Sequence, residues 1–419
     1  MKITILTLGS RGDVQPYVAL GRGLAAAGHE VTMATHACWE TFVRQYDLDF
    51  RPVAGDPRGA LEGEAGQMWL ASDCNPLRFM RGMMAAARPV LWQAADDYWA
   101  ACQRADLILS PVLVNLVAVA IAEKLSVPAY PAYLQHVHPT AAYPSAMFPP
   151  APGLGAAYNR LTYWLGGELF WQAMRPIISA WRQERLGLPM LPRRSQFATW
   201  IREPKPCFYG FSPVVLPKPP EWGAHVHITG YWSLPPDPTW QPASGLTDFL
   251  ASGPPPVFIG FGSMTGRNPE QVAALVIAAL ARARQRGLLL TGWGGLKPAD
   301  LPDDVYAIEA APFDWLFPQM AAVVHHGGAG TTAAGLAAGK PSVIVPFFGD
   351  QHFWGWRVAA LGAGPRPIPR RQLSAERLAA AITEATTRPA IQARAAGLGG
   401  QIRAEDGVGT VVRLLGLNT

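Results

Sequence analysis

A strand, a glycine turn, a helix and a second strand follow one another within the first 34 residues, and this order restricts the fold more than any other feature of the chain. Residues 2–8 alternate and are β-branched, Gly9-Ser10-Arg11-Gly12-Asp13 makes a turn, and Val14, Tyr17, Val18, Gly21, Leu24, Ala25 and Gly28 recur at helical spacing. Gly28 stops the helix, and residues 29–34 supply the next strand. A βαβ crossover of this kind makes the strands parallel, and a parallel sheet needs helices on both faces.

The pattern continues. Strands are expected at 49–53, 107–110 and 127–130, with long Trp- and Met-rich helices at 66–105 and 156–186. Residues 234–245 hold four prolines in twelve positions and end all periodicity, which places a linker there. A second α/β half follows, with strands at 257–261, 288–291, 305–309, 322–325 and 342–345 and a helix at 269–286. The expected class is α/β with two doubly wound halves, in line with 419 residues at about 150 per domain.

Charged residues are only 16% of the chain and apolar ones 49%, with 15 Trp, which excludes disorder and implies some exposed apolar surface. The formal net charge of +5 and pI of about 9.1 let one face lean toward an anionic lipid or phosphorylated substrate, but no basic run suggests nucleic acid. Cys38, Cys74, Cys102 and Cys207 are scattered without metal-ligand or disulfide spacing, which fits a reducing cytoplasm. Residues 107–122, the only stretch resembling a membrane span, are too short and interrupted, and are expected as a buried strand followed by a buried helix.

Residues 322–335 read as an apolar strand, two histidines, a glycine turn and a small-residue helix. That layout builds an anion site: N–H groups around Gly330 to Thr332 point outward at a helix N-terminus, with His326 and the Thr331 hydroxyl as further donors. The alternative is a turn with packed histidines. After the strand at 342–345, Asp350 and Gln351 lie on the ligand side of an open sheet, where carboxylate and amide suit sugar hydroxyls; Asp350 also suits a helix N-cap. Asp13, ending the first strand's loop, either caps its helix or faces a cleft between the halves.

With these motifs in view, GSRGDVQPYVALGRGL near the start and HHGGAGTTAAGLAAGKPSVIVPFFGDQHFWGWRV near the end make the chain resemble a GT-B fold glycosyltransferase of the nucleotide-sugar-dependent family 1 type, closest to its sterol glucosyltransferase branch. The resemblance implies two facing Rossmann-like doubly wound domains with an interdomain cleft. The acceptor domain is expected at 1–233, the linker at 234–245 and the nucleotide-sugar domain at 246–400, with a C-terminal helix at 401–419 packing back on the first. It further implies Asp13 as catalytic base, His326, Gly328, Gly330, Thr331 and Ser263 on the diphosphate, and Asp350 with Gln351 on the sugar. The chain has Ala310 where plant members carry the Trp that stacks on the base, which leaves that role to backbone near 311–313 or to Trp293. The acceptor loop appears as Thr140 to Pro144, including Tyr143, after a divergent Gln135, His136 and His138.

The implied reaction is an inverting transfer of a hexose, glucose first, from a UDP-sugar to a hydroxyl of a large apolar acceptor, sterol-, hopanoid- or polyketide-like. No cofactor or metal is expected. Met83 and Trp92, among the Met and Trp residues of 66–105, are expected to line the acceptor site. A cytoplasmic protein with peripheral membrane contact follows from that acceptor. Two other readings are an NAD(P)-dependent oxidoreductase using Gly328 to Ala333 as G-x-G-x-x-A with Asp350 as ribose acid, and a non-catalytic lipid or glycolipid carrier.

Overall fold

The computed structural model describes the chain except residues 58, 60–62, 64, 65, 67–71, 73, 74, 238, 263–268, 293–295, 297–299 and 417–419. Ser263 and Trp293 therefore lie outside the described residues. The chain divides into two compact units: one runs to Leu234 and resumes at Glu405, and the other covers Pro235–Ala404.

In the first unit, β1 (Lys2–Leu6), β2 (Glu30–His36), β3 (Asp49–Val53), β4 (Leu107–Ser110), β5 (Ala129–Tyr133), β6 (Cys207–Tyr209) and β7 (Val226–Ile228) form one sheet in the order β3-β2-β1-β4-β5-β6-β7, with all pairs parallel. Helix α1 (Arg11–Ala26) buries Val14, Tyr17, Val18, Gly21 and Leu24 along one face. It ends where Gly28, at φ +87°, donates to Ala25 O and His29 donates to Leu24 O, a left-handed cap that glycine accepts without strain. Alternation along β1 sends Ile3 and Ile5 to the α1 side and Leu6 to the other. That other face is covered by α2 (Pro76–Ala101), α3 (Asn115–Leu125) and α4 (Gly155–Trp181), with Trp171 and Trp181 fully buried.

The second unit repeats the plan. Strands β8 (Val257–Gly260), β9 (Gly287–Leu290), β10 (Val305–Ile308), β11 (Ala322–His325) and β12 (Ser342–Ile344) are all parallel in the order β10-β9-β8-β11-β12. Its helices include α5 (Pro269–Ala283), α6 (Ala329–Ala337), α7 (Gln351–Ala360), α8 (Ala375–Thr387) and α9 (Pro389–Arg403). In each unit the first strand lies between the second and the fourth, so the order reverses at β1/β4 and at β8/β11. Ligands of open α/β sheets bind outside the carboxyl ends of the strands at such reversals.

Several boundaries differ from expectation for identifiable reasons. Strand β5 starts two residues late because the Val127 N–H closes a turn on Ala122 O. The single helix expected from residue 401 is two: α9 ends at Arg403, and α10 (Gly407–Leu414) starts anew with Asp406 as N-cap, its carboxylate accepting the Gly409 N–H at 2.8 Å. Helix α10 belongs to the first unit and buries Val411 in the core that α1 shares. Strands β6 and β7, three residues each, carry too short a pattern to be read from the sequence. Residues 107–122 are strand β4 followed by most of α3, both buried, and no described helix is long and apolar enough to cross a membrane.

Candidate active site

In the first unit, the loop leaving β1 is held from several directions. Thr7 N donates to Ala34 O, Tyr98 Oη to Thr7 O at 2.9 Å, and Trp39 Nε1 to Gly9 O at 3.1 Å. This places Asp13 in the first turn of α1, at the third helical position rather than at the cap, which is Ser10. Both the Ser10 N–H and the Ser10 hydroxyl donate to Oδ2 of Asp13 at 2.9 Å. The second carboxylate oxygen makes no hydrogen bond among the described residues. Burial outweighs the two Ser10 bonds and raises the Asp13 carboxyl above its ordinary 3.8, which strengthens it as a base. Ser10 is the partner that the sequence reading missed; the S-x-x-D spacing of a capping box was the available signal.

At the reversal point of the second unit, β11 delivers His325 and His326 and then turns at Gly327, φ +89°. A Cβ at Gly327 would stand 2.7 Å from Ile344 Cγ2 and 3.1 Å from Gln351 O, so the absence of a side chain lets this turn rest on the loop after β12. His325 is fully buried and its Nδ1 accepts the Gly327 N–H at 3.1 Å, which fixes the turn and puts its proton on Nε2. His326 is half-buried in the loop, its imidazole lowered by burial to about 4, and its Nδ1 is buried without a partner among the described residues. A Cβ at Gly328 would meet His326 Nε2 at 2.5 Å.

Gly328 is the N-cap of α6 and provides no side chain. The first intrahelical bond runs from Thr332 N to Gly328 O, which leaves the N–H groups of Ala329, Gly330 and Thr331 without a partner among the described residues, beside His326. Three aligned donors, the positive end of a helix and a neutral imidazole make a site for a multiply charged anion. The G-x-G-x-x-A letters do not make a dinucleotide fingerprint here, because that motif belongs to the turn after the first, central strand, whereas Gly328 to Ala333 follow the fourth strand of this sheet.

Across the Gly327 contact, Asp350 is the N-cap of α7, and its Oδ2 accepts the Trp354 indole N–H at 3.0 Å. Gln351 is buried; its Oε1 accepts the N–H of Phe347 at 2.8 Å and of Phe348 at 3.3 Å. Its carbonyl thus shapes the loop that presents Asp350.

The acceptor residues expected from the sequence separate in the structure. His136 and His138 are buried: His136 Nε2 donates to Pro144 O at 2.9 Å, and the Tyr209 hydroxyl, which accepts the N–H groups of Val137 and His138, donates to His138 Nδ1 at 2.6 Å. Burial lowers both imidazoles to about 4. Tyr143 is buried in the same aromatic cluster, its ring edge-on to His136 and Trp222. These three support the loop from beneath. Met83 is buried and Trp92 packs on the core between the sheet and its helices. Gln135 differs: half-buried just beyond the carboxyl end of β5, its amide makes no hydrogen bond among the described residues.

Residues 3–144 match the glycosyltransferase family 28 N-terminal domain, and residues 294–415 match the erythromycin biosynthesis protein CIII-like C-terminal domain. The chain is 38% identical to a sterol 3-beta-glucosyltransferase of Aspergillus fumigatus over 99% of its own length and 30% of the relative's. It is 37% identical to one of Cryptococcus neoformans over 97% of its own length and 26% of the relative's. It thus spans less than a third of these relatives. Among solved structures, the glycotransferase of kitacinnamycin aligns over 100% of this chain and 98% of that one at 21% identity and a TM-score of 0.71. The glycosyltransferase VinC in complex with dTDP aligns over 100% and 99% at 18% identity and a TM-score of 0.67. Two parallel sheets of repeated order and the likeness to these structures show that the chain has the GT-B fold, with a family domain matched in each half and sequence similarity to sterol 3-beta-glucosyltransferases along nearly its whole length.

Proposed function

We propose that this protein transfers glucose, with inversion, from a nucleoside diphosphate sugar, UDP-glucose first, to the hydroxyl of a sterol-like alcohol. The observation that carries the reading is the trio of N–H groups at Ala329, Gly330 and Thr331 and the Nδ1 of His326 beside them, none with a partner among the described residues. A leaving diphosphate gains negative charge as the glycosidic bond to it breaks, and preorganised donors at that point are worth roughly 3–4 kcal/mol. Asp13 takes the proton of the acceptor hydroxyl while that oxygen attacks the anomeric carbon. A single displacement with one base inverts the configuration. Asp350, oriented by Trp354 and by the loop that Gln351 holds, meets the sugar hydroxyls. Ser263 belongs to the diphosphate contacts and Trp293 to recognition of the base in this scheme.

The relatives named above act on sterols, and Gln135 gives the acceptor side one polar contact. The donors on α6 and His326 meet the diphosphate charge without a metal. The protein works in the cytoplasm against a membrane that supplies its acceptor, and nucleic acid is not a partner. The test is a matrix of UDP- and dTDP-sugars against sterols, hopanoids, macrolides and flavonoids, with products detected by a hexose mass shift and their anomeric configuration read by NMR. Glucosylated sterol of inverted configuration is the expected product; transfer only to small polar acceptors, or retention of configuration, overturns the reading.

A further inference from the structure

Helix α4 has 27 residues, and its first three turns present the wrong surface to water. Leu154, Leu161 and Trp164 are 63%, 54% and 63% exposed, and with Leu165 they fall on one face by their spacing of three, four and seven. The opposite face, with Tyr163, Gly167, Trp171 and Met174, is buried, Trp171 and Met174 in the core beneath the sheet and Tyr163 against His136. One turn further along, the exposed face becomes polar at Glu168 and Gln172, which are hydrogen-bonded to each other. The apolar stripe is therefore confined to the start of the helix.

Its electrostatic setting leans positive on the side of α2, while Glu221 faces Arg160 on the other. Residues 141–167 contain a single charged side chain, Arg160, which is exposed. Helix α2, which packs on α4, contributes exposed Leu77 together with exposed Arg78, Arg81 and Arg88, and has no acidic residue before Asp96. In a parallel α/β sheet each helix returns from the carboxyl edge, so the first turns of α2 and α4 lie at the edge of the first unit that carries the loop of Asp13. Exposed Leu and Trp beside the exposed Arg78, Arg81 and Arg88 are complementary to a negatively charged lipid surface, with Trp at the level of the headgroups.

We infer that the N-terminal turns of α4, flanked by the arginines of α2, dock on an anionic bilayer. The experiment floats the full-length chain with phosphatidylcholine vesicles, and with vesicles containing about a third phosphatidylglycerol, in the absence of donor and acceptor, so the outcome is independent of the transferase reading. Binding is expected to the anionic vesicles and to weaken with salt. Leu161→Ser with Trp164→Ser should lower it at least about tenfold, and each of Arg78→Gln and Arg81→Gln about fivefold. All four side chains are exposed, and an unchanged circular dichroism spectrum and melting curve confirms folding. Absence of vesicle binding by the parent chain overturns the inference, as does binding that the α4 variant leaves unchanged. A concentration-dependent dimer in sedimentation that the α4 variant abolishes, without vesicle binding, assigns the stripe to a second copy and overturns it too.

Discussion

Gly9 lies so close to Asp13 that a Cβ at its position would stand 2.6 Å from the carboxylate Oδ2, the same oxygen that Ser10 holds. Gly9 also has φ +111°, which side chains other than hydrogen rarely adopt. Gly9→Ala should thus cost about 1–3 kcal/mol of stability and displace the carboxylate. Turnover should fall while UDP affinity, measured by calorimetry, stays at the parent value; a full-speed Gly9→Ala enzyme would detach the carboxylate's position from catalysis.

Asp13→Asn retains the volume but not the base, and turnover should drop about 10²- to 10⁴-fold. Stability should move the other way. A carboxyl whose folded-state pKa is raised contributes stability below its unfolded value near 3.8 and loses it as pH rises through the folded value, so the ionised group costs stability at neutral pH. Melting curves at pH 7 should place the Asn variant at or above the parent, with the difference vanishing toward pH 3.8. A variant that retains more than half of the parent turnover, with chemistry rate-limiting, reduces Asp13 to a helix-end residue.

His326 is neutral in the free protein because burial lowers it to about 4. A bound diphosphate raises that value, so affinity for UDP should increase as pH falls toward 4, with proton uptake on binding visible in buffers of different ionisation enthalpy. His326→Ala should weaken UDP about ten- to a hundredfold and flatten the pH dependence. An unaltered slope in the variant would assign the titration to another group.

Asp350→Ala should leave UDP binding nearly intact and cost at least about tenfold in discrimination among sugars. Trp354→Phe, which removes the indole donor from Asp350 Oδ2 and leaves a small cavity where the buried indole was, should have the same effect in weaker form, together with a lower melting temperature. Equal losses of UDP affinity in the His326 and Asp350 variants would contradict the division between diphosphate and sugar.

The sheets were legible because strands such as Ala322–His325 and Leu107–Ser110 are short apolar runs closed by glycine, proline or serine. The site was legible only as residue types at strand ends. That Oδ2 of Asp13 is held twice by Ser10, or that His325 rather than His326 fixes the glycine turn, depends on side-chain direction, which spacing does not encode. The acceptor side was least legible: His136, His138 and Tyr143 look like ligands for a hydroxyl, yet Tyr209 and Trp222, some seventy or more positions away in the chain, pack on His138 and Tyr143, and His136 lies between Tyr143 and Tyr163. Long-range aromatic packing of this kind leaves no local signal.

The return of the chain to the first unit at Glu405 has a consequence for biosynthesis. Val411 completes the apolar layer beneath α1, and Val408 lies where a side chain on Gly23 would be, yet both leave the ribosome only after the whole of the second unit. The first half to be synthesised is therefore the last to close. Until then the flank of α1 around Gly23 is an uncovered apolar strip on a nascent chain, open to chaperones or to a neighbouring polysome product, while the second unit has every residue it needs to fold behind it.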